Sequence, residues 1–415
     1  MLTDIQKEII ELCFLGSYIR ETDPFIKFER DYRTRLFSKE WNFETSNEIN
    51  YSDLENALNT AIVDKVKEKK PIVLLSGGID STVIAHTLFK NNIKFESYAF
   101  FMSDNDSGIK YVKYLDDKYN VSTKIVIGNY DDLKDAFINY FDYYQSPNID
   151  YACLSMAILT DAIKSNTNLD SKYIVLDGIE GDNLMGYNNN FKLHLKSRIM
   201  GLLSNSSSNK RLFKSKKINL YTSSLIDNYE YNSLYQNYIV AKIIDPSYIT
   251  PYREHLREII PLPPDSISFH SKNMLAMLYF MGRRVAYKDY LPFTKAGYEV
   301  LYPFTTNELL EFGFEIPNKL KIKPIVKYPL KHYLEREGYS KEFVYSHKRG
   351  MITDIFRIMD YDDIIDSFHL LKEIVPFRKN GLDYINKLYR NRDGAIDHYL
   401  FSLVIASKYV KNYYK

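Results

Sequence analysis

The sequence predicts an α/β protein, in which a parallel twisted sheet carries helices on both faces. Short β-rich runs alternate with amphipathic helical patterns between residues 71 and 177, and this alternation is typical of a parallel sheet. From about residue 225 onward, apolar residues recur at helical spacing. We therefore divide the chain into a short N-terminal segment (1–65), an α/β domain (66–200) and a mainly helical region (201–415).

The N-terminal segment contains two predicted helices. Thr3 and Gln6 form a capping-box pattern before the first helix, and Gly16 is placed to end it. Residues 17–50 show no clear periodicity and are expected to be irregular. A second helix is expected from about Tyr51 to Lys67.

The α/β domain should contain four strands, separated by helices. These strands are predicted at Pro71–Leu75, Phe95–Met102, Thr123–Ile127 and Tyr173–Asp177. In parallel sheets, ligands bind at the carboxyl ends of the strands. Ser76 and Asp177 both follow a strand, so we expect them to lie near each other.

Composition places the chain among globular proteins of two or three domains. Its 415 residues are 45% hydrophobic and 26% charged, with a net charge of +2, so no basic excess indicates nucleic acid as a partner. Cys13 and Cys153 are the two cysteines, too few for a disulfide framework or a metal cluster. The sequence has no uninterrupted apolar run of about 18 residues, and we expect a cytoplasmic protein that does not enter a membrane.

The most informative motif is Ser76-Gly77-Gly78-Ile79-Asp80-Ser81, which follows the strand ending at Leu75 and opens a helix. Small residues at such a turn present free backbone N–H groups to an anion, and the two serines add hydroxyl donors. A carboxylate at Asp80 tolerates phosphate only if a cation lies between them, which indicates magnesium. The spacing is neither the Walker pattern nor the dinucleotide pattern. An ordinary strand-to-helix turn rich in small residues is the alternative.

The motif resembles the SGGxDS loop of N-type ATP pyrophosphatases, which split ATP between its α and β phosphates. The resemblance implies an adenine nucleotide alpha hydrolase-like (HUP-like) fold. It also implies that this loop binds ATP through Leu75, Ser76, Gly77, Gly78, Asp80 and Ser81.

A second motif runs from Asp177 to Tyr187 (DGIEGDNLMGY). It is similar to the SGEGADELFGGY turn of the asparagine synthetase and β-lactam synthetase family. The resemblance implies that Asp182 holds magnesium together with Asp80, and that Gly178 belongs to the nucleotide site.

A third stretch, from Tyr298 to Leu309, resembles the family's E-x-R-x-P-F-L-D segment. Glu299 matches the family's glutamate, whereas Leu301 and Thr306 replace its arginine and aspartate. Lys327 is similar to the lysine of K-x-x-L-R, and Lys348 to a lysine before a glycine-containing loop. The resemblance implies that both lysines bind the departing pyrophosphate, and it extends over about residues 50–350.

The sequence departs from the family pattern at two residues, one that bears on the source of the nitrogen and one that bears on proton transfer. Leu2 follows Met1, where family members with a glutaminase domain carry a catalytic cysteine. We therefore expect no glutaminase domain here, and free ammonia or an amine as nitrogen donor. Ile179 aligns with the family's proton-accepting residue, so Glu180 or Glu299 is expected to take that role.

The resemblance implies an ATP-dependent amide-forming ligase, in which a carboxylate becomes an acyl-adenylate and an amine displaces AMP. The substrate is expected to be a peptide, an amino-acid-derived metabolite or a sugar acid. One alternative is sulfur or nitrogen transfer to a nucleobase carbonyl. Another is a non-catalytic ATP-binding scaffold. The sequence leaves open whether the chain forms a homodimer or binds a partner protein.

Overall fold

A computed structural model of the chain describes residues 3–15, 17–168, 172–186, 243, 245, 267, 269–322, 325–346, 353–391 and 394–414. The helices in these ranges are α1 (Asp4–Leu15), α2 (Phe25–Ser38), α3 (Tyr51–Leu58, extended by a π-helical turn, Asn59–Val63, and by Asp64–Val66), α4 (Ile79–Lys90), α5 (Ile109–Tyr119), α6 (Tyr130–Ile138), α7 (Tyr140–Tyr143), α8 (Ala152–Asn166), α9 (Gly181–Met185), α10 (Phe269–Lys295), α11 (Asn307–Glu315), α12 (Asn318–Ile322), α13 (Tyr328–Arg336), α14 (Lys341–Val344), α15 (Tyr361–Ile374), α16 (Gly381–Asn391) and α17 (Gly394–Tyr413).

A parallel sheet organises the described residues and confirms the α/β fold class. Its strands are β1 (Lys70–Leu74), β2 (Glu96–Phe101), β3 (Lys124–Ile127), β4 (Tyr173–Leu176) and β5 (Glu299–Leu301). Their order is β3-β2-β1-β4-β5, and every neighbouring pair is parallel. The first four match the predicted strands, whereas β5 was not predicted because three residues carry too little periodicity.

The strand register fixes which loops meet. Leu176 lies opposite Val73 on one side and Leu301 on the other. The chain that follows β1, β4 and β5 therefore leaves the sheet at one edge, and Ser76 and Asp177 lie on that edge, as predicted.

Helices cover both faces of the sheet, because the strands are apolar on both sides. Val73 packs in a core with the helices α3 and α4, and Ile72 packs on the opposite face with Leu159 and Ile163 of α8. Among the described residues, no helix has the length and hydrophobicity needed to cross a membrane.

Residues 17–50 are not irregular, and that expectation was wrong. They contain α2, whose buried face is formed by Phe25, Glu29, Tyr32 and Leu36. Glu29 interrupts the apolar pattern of this face, which is why the helix was not recognised from the sequence. Its carboxylate accepts a hydrogen bond from the Tyr279 hydroxyl at 2.6 Å. The capping box of α1 is confirmed by hydrogen bonds between Thr3 and Gln6 in both directions.

Helix α12 buries a lysine. Lys321 has no exposed surface, and its Nζ donates to the Met274 Sδ atom at 3.2 Å. Within the described ranges its ammonium group has no ion pair with a carboxylate. Burial lowers its pKa to about 7, although the charge of Glu44 raises it. Protonation of Lys321 therefore costs folding free energy.

We predict that Lys321→Met, which keeps the length of the side chain, stabilises the fold at pH 6. The gain in the free energy of unfolding should be about 1–3 kcal/mol. Since the pKa of Lys321 is lowered in the fold, the wild-type penalty is complete below pH 7 and disappears as the pH rises toward the pKa of an unfolded lysine, about 10.5. Urea unfolding at pH 6 and at about pH 9.5 should show the gain shrinking by more than half.

Lys319→Met is the matched control, because Lys319 is an exposed lysine of the same helix. Its effect should not change with pH. If Lys321→Met destabilises the protein equally at both pH values, the account of a buried neutral lysine is wrong.

Candidate functional site

The glycine-rich loop connects β1 to the amino end of α4. The Leu75 amide donates to the carbonyl oxygen of Tyr98 at 2.8 Å, which holds the loop against β2. Gly77 has a φ of 71°, a conformation that favours glycine. Gly78 is the N-cap of α4, and no side chain caps the helix there. The first N–H groups of α4 are therefore not capped by a side chain at Gly78, as is typical of a helix terminus that binds an anion.

Hydroxyl groups line the same loop. The Ser76 and Ser81 Oγ atoms lie 3.3 Å apart, and Ser81 Oγ donates to the Gly78 carbonyl oxygen at 3.1 Å. Thr82 Oγ1 donates to the same carbonyl at 2.7 Å. Ser76 is exposed. The loop thus has a fixed shape and presents a serine at its mouth.

The second motif closes directly on Asp80. A Cβ atom at Gly178 would lie 2.6 Å from Asp80 Cβ, and one at Gly181 would lie 2.5 Å from Asp80 Oδ1. Any side chain at either position would push the turn away from Asp80. Glycine at both positions lets the turn bring Asp182, in α9, to the same place.

Lys327 joins the two acids. Its Nζ lies 2.6 Å from Asp80 Oδ2 and forms a second ion pair with Asp182 Oδ1. Lys327 has a φ of 57°, a left-handed conformation that is uncommon outside glycine, and it directly precedes α13. Three of the predicted site residues, which come from three separate segments, therefore meet at one point.

Asp80 and Asp182 fit a magnesium site. Asp80 Oδ1 is buried and accepts no hydrogen bond from the described residues. Magnesium is commonly held by one or two carboxylates, with phosphate oxygens and waters as its other ligands. The described residues bring no third carboxylate, histidine or cysteine into ligand range, so the remaining ligands would come from phosphates and water.

Glu180 lies in the turn of the second motif, and its side chain is buried. It has a φ of 71°, and its Oε2 accepts a hydrogen bond from Asn183 Nδ2 at 2.9 Å. A Cβ atom at Gly282 of α10 would lie 3.1 Å from Glu180 Oε1 and 3.3 Å from the Tyr32 hydroxyl. Burial raises the pKa of Glu180 to about 8. The charge of Glu180 acts on the buried Tyr32 of α2, a neighbour that was not expected because α2 was not predicted.

Glu299 lies at the opposite end of the sheet from the loop. It begins β5, where it stands opposite Ile174, and its carboxylate pairs with Lys69 at 2.5 Å. The side chain is exposed. The structure therefore does not bring Glu299 to Asp80, Asp182 and Lys327. Lys348 lies outside the described residues.

Comparison with known proteins identifies the family. The asparagine synthase family profile matches residues 53–368, a range that includes the loop, the second motif and Lys327. The microcin J25-processing protein McjC of Escherichia coli is 27% identical over 184 residues. That match covers 43% of this chain and 33% of the relative, so it spans about a third of the relative's length.

The family match covers well over half of the chain, and it agrees with the parallel sheet and with the acids at its edge. The chain belongs to the asparagine synthase family, a family of ATP-dependent amide-forming ligases.

Proposed function

We propose that the protein activates a substrate carboxylate with ATP as an acyl-adenylate, releases pyrophosphate, and joins the acyl group to ammonia or an amine. One observation carries the proposal: Asp80 and Asp182 both pair with the ammonium group of Lys327, directly beside the N-terminal end of α4. Loop, helix terminus and paired acids together suit a metal-bound triphosphate.

We propose a peptide carboxylate as the first substrate class to test. McjC is named as a processing protein for microcin J25, and its similarity to this chain is the reason for this choice. Small-molecule carboxylates, including amino-acid-derived metabolites and sugar acids, are the second class.

The chain's own residues would act on the nucleotide by position and charge. The loop from Leu75 to Ser81 would bind phosphate oxygens through its backbone N–H groups and serine hydroxyls. Asp80 and Asp182 would hold magnesium, which supplies Lewis-acid neutralisation of phosphate charge. Lys327 would bind the leaving pyrophosphate, since it already lies beside both acids, and Lys348 is proposed for the same task.

Proton transfer from the amine is assigned to Glu180 as a proposal. A carboxylate whose pKa is about 8 is a stronger base than an exposed glutamate once it is ionised. Glu299 is the weaker proposal for this role because it lies at the amino end of β5, in an ion pair with Lys69.

Sulfur transfer to a nucleobase has less support. It would need a reactive thiol, and Cys153 is fully buried in α8. Burial also raises the pKa of its thiol well above the usual value, which disfavours the thiolate. We therefore keep amide formation as the proposed reaction.

We expect the wild-type protein, incubated with magnesium, ATP and pools of peptides and metabolites, to release AMP and pyrophosphate. Asp80→Asn and Asp182→Asn should each lower this release by about 10²–10⁴-fold, because each removes a carboxylate from the metal site. Mass-resolved nucleotide analysis measures the products.

Asp117→Asn, an exposed acid of α5, is the control and should keep full activity. Release of ADP and phosphate would contradict adenylation. ATP binding without any cleavage would favour a scaffold.

We predict that Lys327→Met lowers AMP release by about 10²-fold or more, because a cation beside the phosphates is lost. The same variant should be less stable than wild type without magnesium, since Asp80 and Asp182 then face each other without a counter-charge. Magnesium alone should raise its melting temperature more than that of wild type.

Lys341→Met removes an exposed lysine that pairs with Glu335, and it should change neither quantity. Equal responses of wild type and Lys327→Met to magnesium would show that Lys327 and the metal do not share a site.

We predict that Glu180→Gln separates the two half-reactions. Exchange of labelled pyrophosphate into ATP, which reports adenylation, should stay within a few-fold of wild type, whereas amide formation should fall by about 10²-fold. Glu342→Gln, at an exposed glutamate, is the control. A parallel loss of both half-reactions in Glu180→Gln would assign Glu180 a structural role.

A further inference from the structure

The carboxyl end of α13 is joined to α4 by two polar contacts. Glu337 directly follows α13, and its Oε2 atom lies 3.2 Å from Nε2 of His86, a buried residue of α4. The same carboxylate pairs with Lys90, also of α4, at 3.3 Å. Both contacts lie at the end of α13 that is remote from Lys327, which precedes its first turn.

The second ring nitrogen of His86 also has a partner. His86 Nδ1 lies 3.0 Å from the Tyr339 hydroxyl. Burial lowers the pKa of His86, although the charge of Glu337 raises it, and a neutral imidazole has one N–H and one acceptor nitrogen. Because the Glu337 carboxylate only accepts, Nε2 carries the hydrogen and Nδ1 accepts from Tyr339. The ring is therefore held in one orientation between its two partners.

The amino end of α13 meets the same helix at the candidate site. Lys327 Nζ lies 2.6 Å from Asp80 Oδ2 and also pairs with Asp182. Its left-handed φ of 57° is a conformation that persists only where surrounding contacts hold it. Asp80 and His86 both belong to α4. Helix α13 is therefore joined to α4 near both of its ends.

Apolar packing between these helices does not by itself fix their position along their axes. Leu330 and Leu334 of α13 lie in one apolar core with Val83 and Leu88 of α4. Packed helices can shift past each other by about 1–2 Å, whereas a hydrogen bond weakens steeply when its distance and angle change. A displacement of about 1 Å near a reacting centre can lower a rate by about 10²-fold. A directional contact on α13 therefore bears on where the ammonium group of Lys327 lies.

We infer that His86 and Glu337 are positioning residues for Lys327, and that they fix α13 along α4 so that its ammonium group reaches both acids. The inference rests on the proposed function, in which Lys327 binds the leaving pyrophosphate. In the described ranges neither residue forms a hydrogen bond or an ion pair with Asp80 or Asp182. Loss of either residue should therefore move Lys327 and leave the two acids in place.

A double-mutant cycle, read by the exchange of labelled pyrophosphate into ATP, tests this positioning role. Glu337→Met removes the carboxylate and nearly keeps the side-chain length, and should lower exchange by about 10-fold or more. In the Lys327→Met background the same change should lower exchange by less than about 2-fold, because the residue through which it acts is gone. An equal loss in both backgrounds, or no loss in the wild-type background, overturns the inference.

Three further variants separate positioning from a general effect on α13. Glu337→Gln keeps an oxygen that accepts from His86, so exchange should stay within a few-fold of wild type. His86→Phe keeps a ring without nitrogen atoms and should match Glu337→Met. Glu335→Met is the matched control, because Glu335 lies in α13 but pairs with Lys341, and it should keep wild-type exchange. Equal losses in Glu335→Met and Glu337→Met would contradict a specific role for Glu337.

Magnesium provides a readout that needs no reaction. A displaced Lys327 leaves Asp80 and Asp182 without their counter-charge, so magnesium chloride should raise the melting temperature of Glu337→Met more than that of wild type. Equal magnesium responses overturn the inference, even in a protein that releases AMP. A larger response in Glu337→Met, together with release of ADP by the wild type, supports the positioning role and contradicts the proposed reaction.

Discussion

The structure of the site depends on a positive charge between two carboxylates that lie close together. Asp80 and Asp182 come from different motifs, and Lys327, which contacts both, comes from a third segment. Without a positive charge between them the two acids would repel each other. This requirement accounts for the left-handed conformation of Lys327, because strained backbone is found where surrounding contacts hold it in place. It also explains why residues from three segments meet at the edge where we propose that phosphates bind.

The parallel sheet and two glycines make this meeting of charges geometrically feasible. The register of β1 with β4 sets the two motifs side by side, and the missing side chains at Gly178 and Gly181 leave space for Asp80. The same edge continues to Asp177, whose amide donates to the Leu301 carbonyl oxygen at 3.2 Å.

Local sequence predicted those features that depend on neighbours along the chain. Alternating strands and helices gave the sheet, and the motifs gave Asp80, Asp182 and Lys327, which the structure brings together. Features that depend on distant packing were not predictable. The buried face of α2 includes Glu29, whose partner Tyr279 is 250 residues away. Glu299 matches a motif, yet the register of β5 places it at the amino end of the strand.

In the proposed reaction, a substrate carboxylate attacks the α-phosphate of ATP. This step can be followed by mass analysis of the AMP that is released when the carboxylates of the substrate pool carry ¹⁸O. An acyl-adenylate retains one carboxylate oxygen on the phosphate when the amine displaces AMP, so we predict AMP that contains one ¹⁸O atom. Unlabelled AMP would show that water attacks the nucleotide, and would contradict the account.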